Sequence, residues 1–225
     1  MPDHGRLRQN IGVAVDNCIF TVLEGSLQVL LIQMKRRPFE DRWAFPGGLV
    51  EDGEALDAAA ARILREQTGV SHVYLEQLYT FDDRKRDPSN RVVSVAYFSL
   101  VPPGGVALQT TEKYRAVRFW DLDRRPRPLA YDHEEILAYA QKRLQSKVQY
   151  TNVMFSLLPS KFTLSQLQSA YETVLKRSLD KRNFRKKVLS LGLVEASGER
   201  ATGGRHRPAM LYRFEKMQPE IVEVF

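Results

Sequence analysis

The sequence predicts an α+β chain in two unequal units, a strand-rich domain followed by a small helical domain that ends in a hairpin. Three observations predict it. Residues 1–130 are mostly β-rich runs broken by one strong helix. Residues 151–225 carry two capped amphipathic helices and a hairpin pattern. The excess positive charge sits almost wholly in that second stretch, with 13 Lys and Arg against 7 Asp and Glu, out of 34 and 27 in the whole chain.

Taken in order, 11–15, 19–24 and 27–34 read as strands, with Gly25-Ser26 as a hairpin turn between the last two. Pro46-Gly47-Gly48 breaks the pattern before a helix over 55–67. Further strands fall at 73–81, 91–101 and 116–120, separated by the charged loop 82–90 with its Pro88 and by 102–105. A second helix spans 132–148, with Asp132 as N-cap, Glu135 completing a capping box, and Ile136, Ala140, Leu144 and Val148 on one apolar face. The boundary falls at its end, giving units 1–149 and 150–225.

In the second unit Thr163 and Gln166 form a capping box, and Leu164, Leu167, Tyr171 and Val174 mark the buried stripe of a helix. After the turn 176–179, Asp180 caps another helix, which Gly192 stops. Leu193-Val194-Glu195 pairs with 210–214 as the closing hairpin.

Composition excludes several classes. At 43% hydrophobic residues the chain can build a core, and no apolar run reaches the roughly 18 residues that span a bilayer. The polar N-terminus lacks the apolar core of a signal peptide. One cysteine, Cys18, rules out an internal disulfide framework, and the four histidines are too scattered for metal-ligand spacing, so no metal site is expected. These features predict a soluble cytoplasmic protein.

The second helix of the basic unit is apolar on one side, through Phe184, Val188 and Leu191, and cationic on the other. Lys181, Arg182, Asn183, Arg185, Lys186 and Lys187 occupy the outer side, and 181–187 contains no acid. Solvated helix faces usually mix both signs, so this one reads as a polyanion surface. Two helices around a short turn match a helix-turn-helix whose second helix enters the major groove, with Arg185 and Asn183 able to read base edges. The Gly-rich basic loop 198–208, with Arg205, His206 and Arg207, resembles the wing of a winged helix, reaching phosphates or the minor groove.

The stretch from Gly48 to Val70, GLVEDGEALDAAAARILREQTGV, resembles the Nudix box: Gly48, Glu54, Arg62, Leu64, Glu66, Gly69 and Val70 fall in register, after the typical lead-in Trp43-Ala44-Phe45-Pro46-Gly47. The resemblance implies a Nudix α/β/α sandwich over about 8–148, followed by the C-terminal winged helix-turn-helix. In Nudix hydrolases three glutamates on one helix face supply the main Mg²⁺ ligands; here those positions are Ile63, Glu66 and Gln67. Removing two of three anionic oxygens leaves a site that holds Mg²⁺ weakly at most, so no catalytic residue is expected and Glu54, Arg62 and Glu66 remain as remnants. The alternative is an active pyrophosphohydrolase on ADP-ribose-like substrates, assembled from Glu51, Glu54 or Glu66 and the ligand's own phosphates.

A degenerate Nudix domain ahead of a winged helix is similar to the Nudix-related regulators of NAD metabolism, the NrtR family. Arg86-Asp87-Pro88, Arg91 to Tyr97, Asp132-His133, Phe162-Thr163-Leu164 and Asp180 to Phe184 extend the likeness. It implies a homodimeric repressor of NAD biosynthesis or salvage genes on a pseudo-palindromic double-stranded operator. ADP-ribose or a related NAD metabolite would bind the Nudix cleft and release the DNA. A sister group with this architecture regulates sugar-utilisation genes. Candidate effector contacts are Arg36, Arg37, Arg62 and Arg86 for phosphates, Trp43, Phe45 and Gly48 in the cleft, and Glu66 for a ribose hydroxyl. Trp43 or Phe45 can equally line the core.

Overall fold

A computed structural model describes residues 10–71, 73–104, 108, 112–202 and 208–224. The first strand, β1, runs unbroken from Gly12 to Leu23, where the sequence suggested two. The polar Asp16 and Asn17 do not interrupt it, because β1 pairs in parallel with β6 (Val92–Leu100) along its length, from Gly12 opposite Val92 to Phe20 opposite Leu100. Its other edge is shared. The first half pairs with β4 (Gly47–Leu49), and the second half with β2 (Ser26–Met34). Strands β3 (Trp43–Ala44) and β7 (Tyr114–Asp121) pair with β2, and β5 (Tyr74–Phe81) closes the far side on β6.

Alternation along β1 assigns its side chains to two layers. Val15 and Ile19 point to α1 (Leu56–Thr68), where they meet Ile63 and Leu64 in two small clusters. Asn17 lies on this side too and donates from its amide to the Ala60 carbonyl at 3.1 Å. Cys18 and Phe20 face the opposite layer, built from α2 (His133–Tyr150) through Ile136, Ala140, Leu144 and Val148. A sheet covered by one helix on each face is the predicted sandwich. The α1 helix ends where Gly69 takes φ +75° and returns its N–H to the Arg65 carbonyl, a conformation that disfavours a side chain.

The N-terminus of α2 departs from expectation. Asp132 sits at the N-cap without making a side-chain cap bond, because its carboxylate is taken by Arg86. The expected capping box with Glu135 is therefore absent. After α2, a 3-10 turn (Val153–Leu157) leads to α3 (Leu164–Leu175) and α4 (Lys181–Ser190), then to the hairpin β8 (Val194–Arg200) and β9 (Met210–Phe214). Here the local signals hold. Thr163 and Gln166 make both bonds of the capping box, and Asp180 accepts from the Asn183 N–H at 2.8 Å.

The two units are not beads on a string. A single hydrophobic core runs from Phe20 and Phe98 in the sheet, along the buried face of α2, to Tyr171, Phe184 and Phe214. At its edge Thr173 of α3 donates to the Gly25 carbonyl at 3.2 Å, and Lys176 pairs with Asp123 at 3.2 Å. The C-terminal segment folds back as well, with Val224 N–H on the Gln149 carbonyl at 3.0 Å. Apolar contact therefore fixes how α3 and α4 are presented relative to the sheet.

Candidate functional site

Beside β1 and β4 lies a cleft of about 500 Å³, bounded by the start of β1, β4, residues 86–92, Tyr114, Tyr131 and the first turn of α2. Its floor is a buried polar network. Arg86, whose side chain is 4% exposed, bonds Asp16 at 2.9 Å and grips Asp132 with two bonds at 2.9 and 3.0 Å. Ser94 donates to Asp16 at 2.6 Å, and His133 Nε2 faces the other Asp16 oxygen at 3.4 Å. His133 Nδ1 accepts the Phe45 N–H at 2.9 Å, which places the ring proton on Nε2, toward Asp16. Burial alone would raise the Asp16 carboxyl. His133, Arg86 and the Ser94 hydroxyl outweigh it and hold the group well below the usual carboxylate range.

Gly47 permits this arrangement. It lies opposite Asp16 in the register, and a Cβ there would fall 2.1 Å from Asp16 Oδ1. Its peptide is read by Gln67, whose amide donates to the Gly47 carbonyl at 2.8 Å and accepts the Gly47 N–H at 3.1 Å. A carboxylate could accept but not donate, so the neutral amide suits this position. Ile63, the other departure from the Nudix pattern, is 1% exposed and packs with Val15 and Tyr97. Two of the three positions that would supply metal oxygens therefore serve packing or backbone bonding instead.

The remaining charges of the box are paired among themselves. Arg62 makes a two-pronged contact with Glu54, at 2.7 Å for each prong, and lies 3.5 Å from Glu51 and 3.6 Å from Glu66. That pairing, with the Glu51 N–H, draws the Glu54 carboxyl down to about 2. Glu51, Arg62 and Glu66 line a second cleft of about 430 Å³ that shares Gly47, Gly48, Leu49 and Tyr114 with the first. Among the described residues no group of three or more His, Cys, Asp or Glu is placed to hold a metal ion.

The other candidates scatter. Phe45, 1% exposed, borders the main cleft and stacks on His133 with centroids 4.9 Å apart. Gly48 borders both clefts. Trp43 is half-buried and packs edge-on against Trp120 at 5.1 Å, away from the cleft lining. Arg36 and Arg37 are exposed and do not line the main cleft. Asp16, His133, Tyr114 and Tyr131 escaped the sequence reading as cleft residues. An acid inside an apolar strand was the one available signal.

In the basic unit, Phe184 and Val188 are buried, and Tyr171 of α3 meets Phe184 edge-on at 5.5 Å. Leu191 packs beside them, partly buried. This leaves Lys181, Arg182, Asn183, Lys186 and Lys187 exposed on one face. Arg185 is partly buried and donates to the Ser165 hydroxyl of α3 at 3.1 Å, which fixes the guanidinium against the first helix. Arg205, His206 and Arg207 lie outside the described residues. The hairpin that carries their loop is anchored by Glu195–Arg213 at 2.7 Å and Lys161–Glu199 at 2.5 Å.

Two family models match the chain: the NUDIX domain over residues 13–140 and the NrtR DNA-binding winged helix domain over residues 154–214. The ADPR responsive transcriptional repressor NtrR of Acinetobacter baylyi is 40% identical over 206 residues, covering 90% of this chain and 81% of that protein. The ADP-ribose pyrophosphatase of Methanocaldococcus jannaschii is 34% identical over 132 residues, 59% of this chain and 74% of the relative. The crystal structure of Shewanella oneidensis NrtR complexed with a 27mer DNA superposes with a TM-score of 0.81 at 33% identity, covering 90% of this chain and 93% of that one. With a Nudix sandwich and an NrtR-type winged helix built on one continuous core, the chain belongs to the NrtR family of Nudix-related transcriptional regulators.

Proposed function

We propose that the protein is a transcriptional repressor that binds a double-stranded operator through its winged helix and is released by ADP-ribose in the Nudix cleft. The observation that carries the reading is a split between two helices of one chain. Two of the three metal-ligand positions on the Nudix helix are committed to Ile63 packing and Gln67–Gly47 bonding, while α4 presents exposed cations beside Arg185 and Asn183. The A. baylyi relative is a repressor responsive to ADPR, and the S. oneidensis relative forms a complex with DNA.

On this reading Lys181, Arg182, Lys186 and the wing residues Arg205, His206 and Arg207 neutralise phosphates, while Arg185 and Asn183 read base edges. The units divide near residue 150, and a homodimer places two recognition helices on a pseudo-palindromic operator of NAD biosynthesis or salvage genes. The chain works in the cytoplasm as a binding protein, not as an enzyme. Among the described residues no helix is long and apolar enough to cross a membrane.

The cleft and α4 are coupled because His133, at the start of α2, lines the cleft, Asp132 beside it holds Arg86 of the floor, and α2 continues into the core beneath α3 and α4. Effector and operator then oppose each other by the same factor, whichever binds first. The likeness to the M. jannaschii pyrophosphatase raises hydrolysis as the rival reading. A gel shift on a duplex from the protein's own promoter region, titrated with ADP-ribose, NAD and NMN, tests the proposal. Release by ADP-ribose supports it. No duplex bound above nonspecific DNA, with AMP accumulating under Mg²⁺, contradicts it.

A further inference from the structure

Resting on the reading of the cleft as an ADP-ribose site, we infer that Arg91, and not Arg86, is the residue that meets the effector's diphosphate. Arg86 looked suited to that role by sequence, but its guanidinium is already gripped by two carboxylates and its side chain is 4% exposed. Together Arg86, Asp16 and Asp132 carry a net charge of −1, with His133 holding its proton on Nε2 beside them. A diphosphate brought to that floor meets an anionic cluster and has to displace a carboxylate to gain a bond. The floor suits hydrogen-bond donors, such as ribose hydroxyls or an amine, far better than an anion.

Four cations line the two adjoining clefts: Arg62, Arg86, Arg91 and Lys113. Arg62 is surrounded by Glu51, Glu54 and Glu66, and Arg86 by Asp16 and Asp132. Lys113 lines the smaller cleft and has an interaction of its own. Arg91 differs in kind. Its Nη1 donates to the backbone carbonyls of Asp82 at 2.9 Å and Asp83 at 3.4 Å, and it forms no ion pair among the described residues. Neutral carbonyls hold the guanidinium in place without cancelling its charge, and its remaining N–H donors stay available for a two-pronged grip on phosphate oxygens.

The surroundings complete the corner. Asn10 and Asn90 line the same cleft. Asp87 is the acid nearest in sequence in that cleft, and its Oδ1 is engaged by the Ser89 and Asn90 N–H groups at 2.7 and 3.2 Å. Arg91 immediately precedes β6: its carbonyl accepts the Gly12 N–H at 2.9 Å, so the residue is fixed by the sheet on one side and the 82–91 loop on the other. The cleft is thereby divided into an anion-binding rim at Arg91 and a hydroxyl-binding floor at Asp16.

Calorimetric titration of the full-length protein with ADP-ribose, adenosine and inorganic pyrophosphate tests the assignment in wild type, Arg91→Gln and Arg91→Lys. ADP-ribose affinity should fall by about tenfold or more in Arg91→Gln, with Arg91→Lys between the two, as expected for losing a charge-assisted, two-pronged contact. Adenosine, which has no phosphate, should bind all three proteins alike. ADP-ribose binding unchanged in Arg91→Gln, or an equal fall for adenosine, overturns the assignment, the latter by showing Arg91 to be only a strut for its loop. A wild-type protein that ignores ADP-ribose yet binds pyrophosphate through Arg91 would instead overturn the proposed effector and leave the anion rim standing.

Discussion

The helices α1 and α4 are both rich in charge and arrange it in opposite ways. Around Arg62 of α1 the charges face one another: it is enclosed by Glu66 of the same helix and by Glu51 and Glu54 just before it, and the amide of Gln67 is saturated by the Gly47 peptide. On α4 the cations Lys181, Arg182, Lys186 and Lys187 are exposed and form no ion pair among the described residues. Internal pairing fixes a loop to a helix and leaves little to offer a metal. Unpaired cations on a rigid helix remain available for phosphate. The same residue types thus build structure in one place and a ligand surface in the other, and partner geometry decides which.

The largest effect should come from breaking the buried pairing under the cleft. Asp16→Ala leaves Arg86, buried on the cleft floor, with one of its two carboxylates, and removal of one member of a buried ion pair costs about 3–5 kcal/mol. Urea unfolding should show that loss at neutral pH. The pH dependence follows from the sign of the Asp16 shift. Its folded-state value is depressed, so the stabilisation is fully present above the unfolded carboxylate value of about 3.9 and is lost as pH falls toward the folded value. Asp16→Asn should flatten this acid limb, and an unaltered limb would show the pairing to be inconsequential.

Next in size is Gln67→Glu, which keeps the shape but loses the donor to the Gly47 carbonyl and sets two acceptors against each other. A cost of about 1–3 kcal/mol in thermal unfolding is expected, and no Mg²⁺-dependent hydrolase activity should appear, because Ile63 still fills the neighbouring position. Gain of robust hydrolysis from this single change would break the contrast between the helices.

On the other side of the comparison, Arg185→Ala should lower affinity for the preferred duplex by about 1–3 kcal/mol and relax its sequence preference. Lys186→Ala should weaken all duplexes alike and reduce the salt slope of log K by about 1. Fluorescence anisotropy against salt concentration separates the two. The smallest effect is Thr163→Ala. It removes a capping bond at the start of α3 and should cost about 1 kcal/mol without changing DNA preference.

Local signals made the basic unit legible in sequence. The capping residues Thr163 and Asp180, and the apolar spacing of Phe184 and Val188, each act within a turn of the chain, and the structure keeps them. Asp132 misled for the complementary reason. Its local pattern offered a capping box, but the stronger partner is Arg86, 46 residues away, and a charge-assisted bond in a buried site outweighs a cap. The break expected within β1 failed similarly, since Asp16 and Asn17 find partners in Arg86, Ser94 and Ala60, at sequence separations of 70, 78 and 43, that only the tertiary fold brings near. The box itself was readable in its register from Gly48 to Val70. The role of Gln67 was not, because it depends on where β4 places the Gly47 peptide.

The most direct test of this division is a time course of operator binding in the presence of ADP-ribose and Mg²⁺. Paired charges on α1 and open charges on α4 predict that ADP-ribose releases the duplex at once and that the release persists through prolonged incubation, with ADP-ribose recovered intact. Operator binding that returns as AMP accumulates, or that never responds to ADP-ribose, would contradict the account.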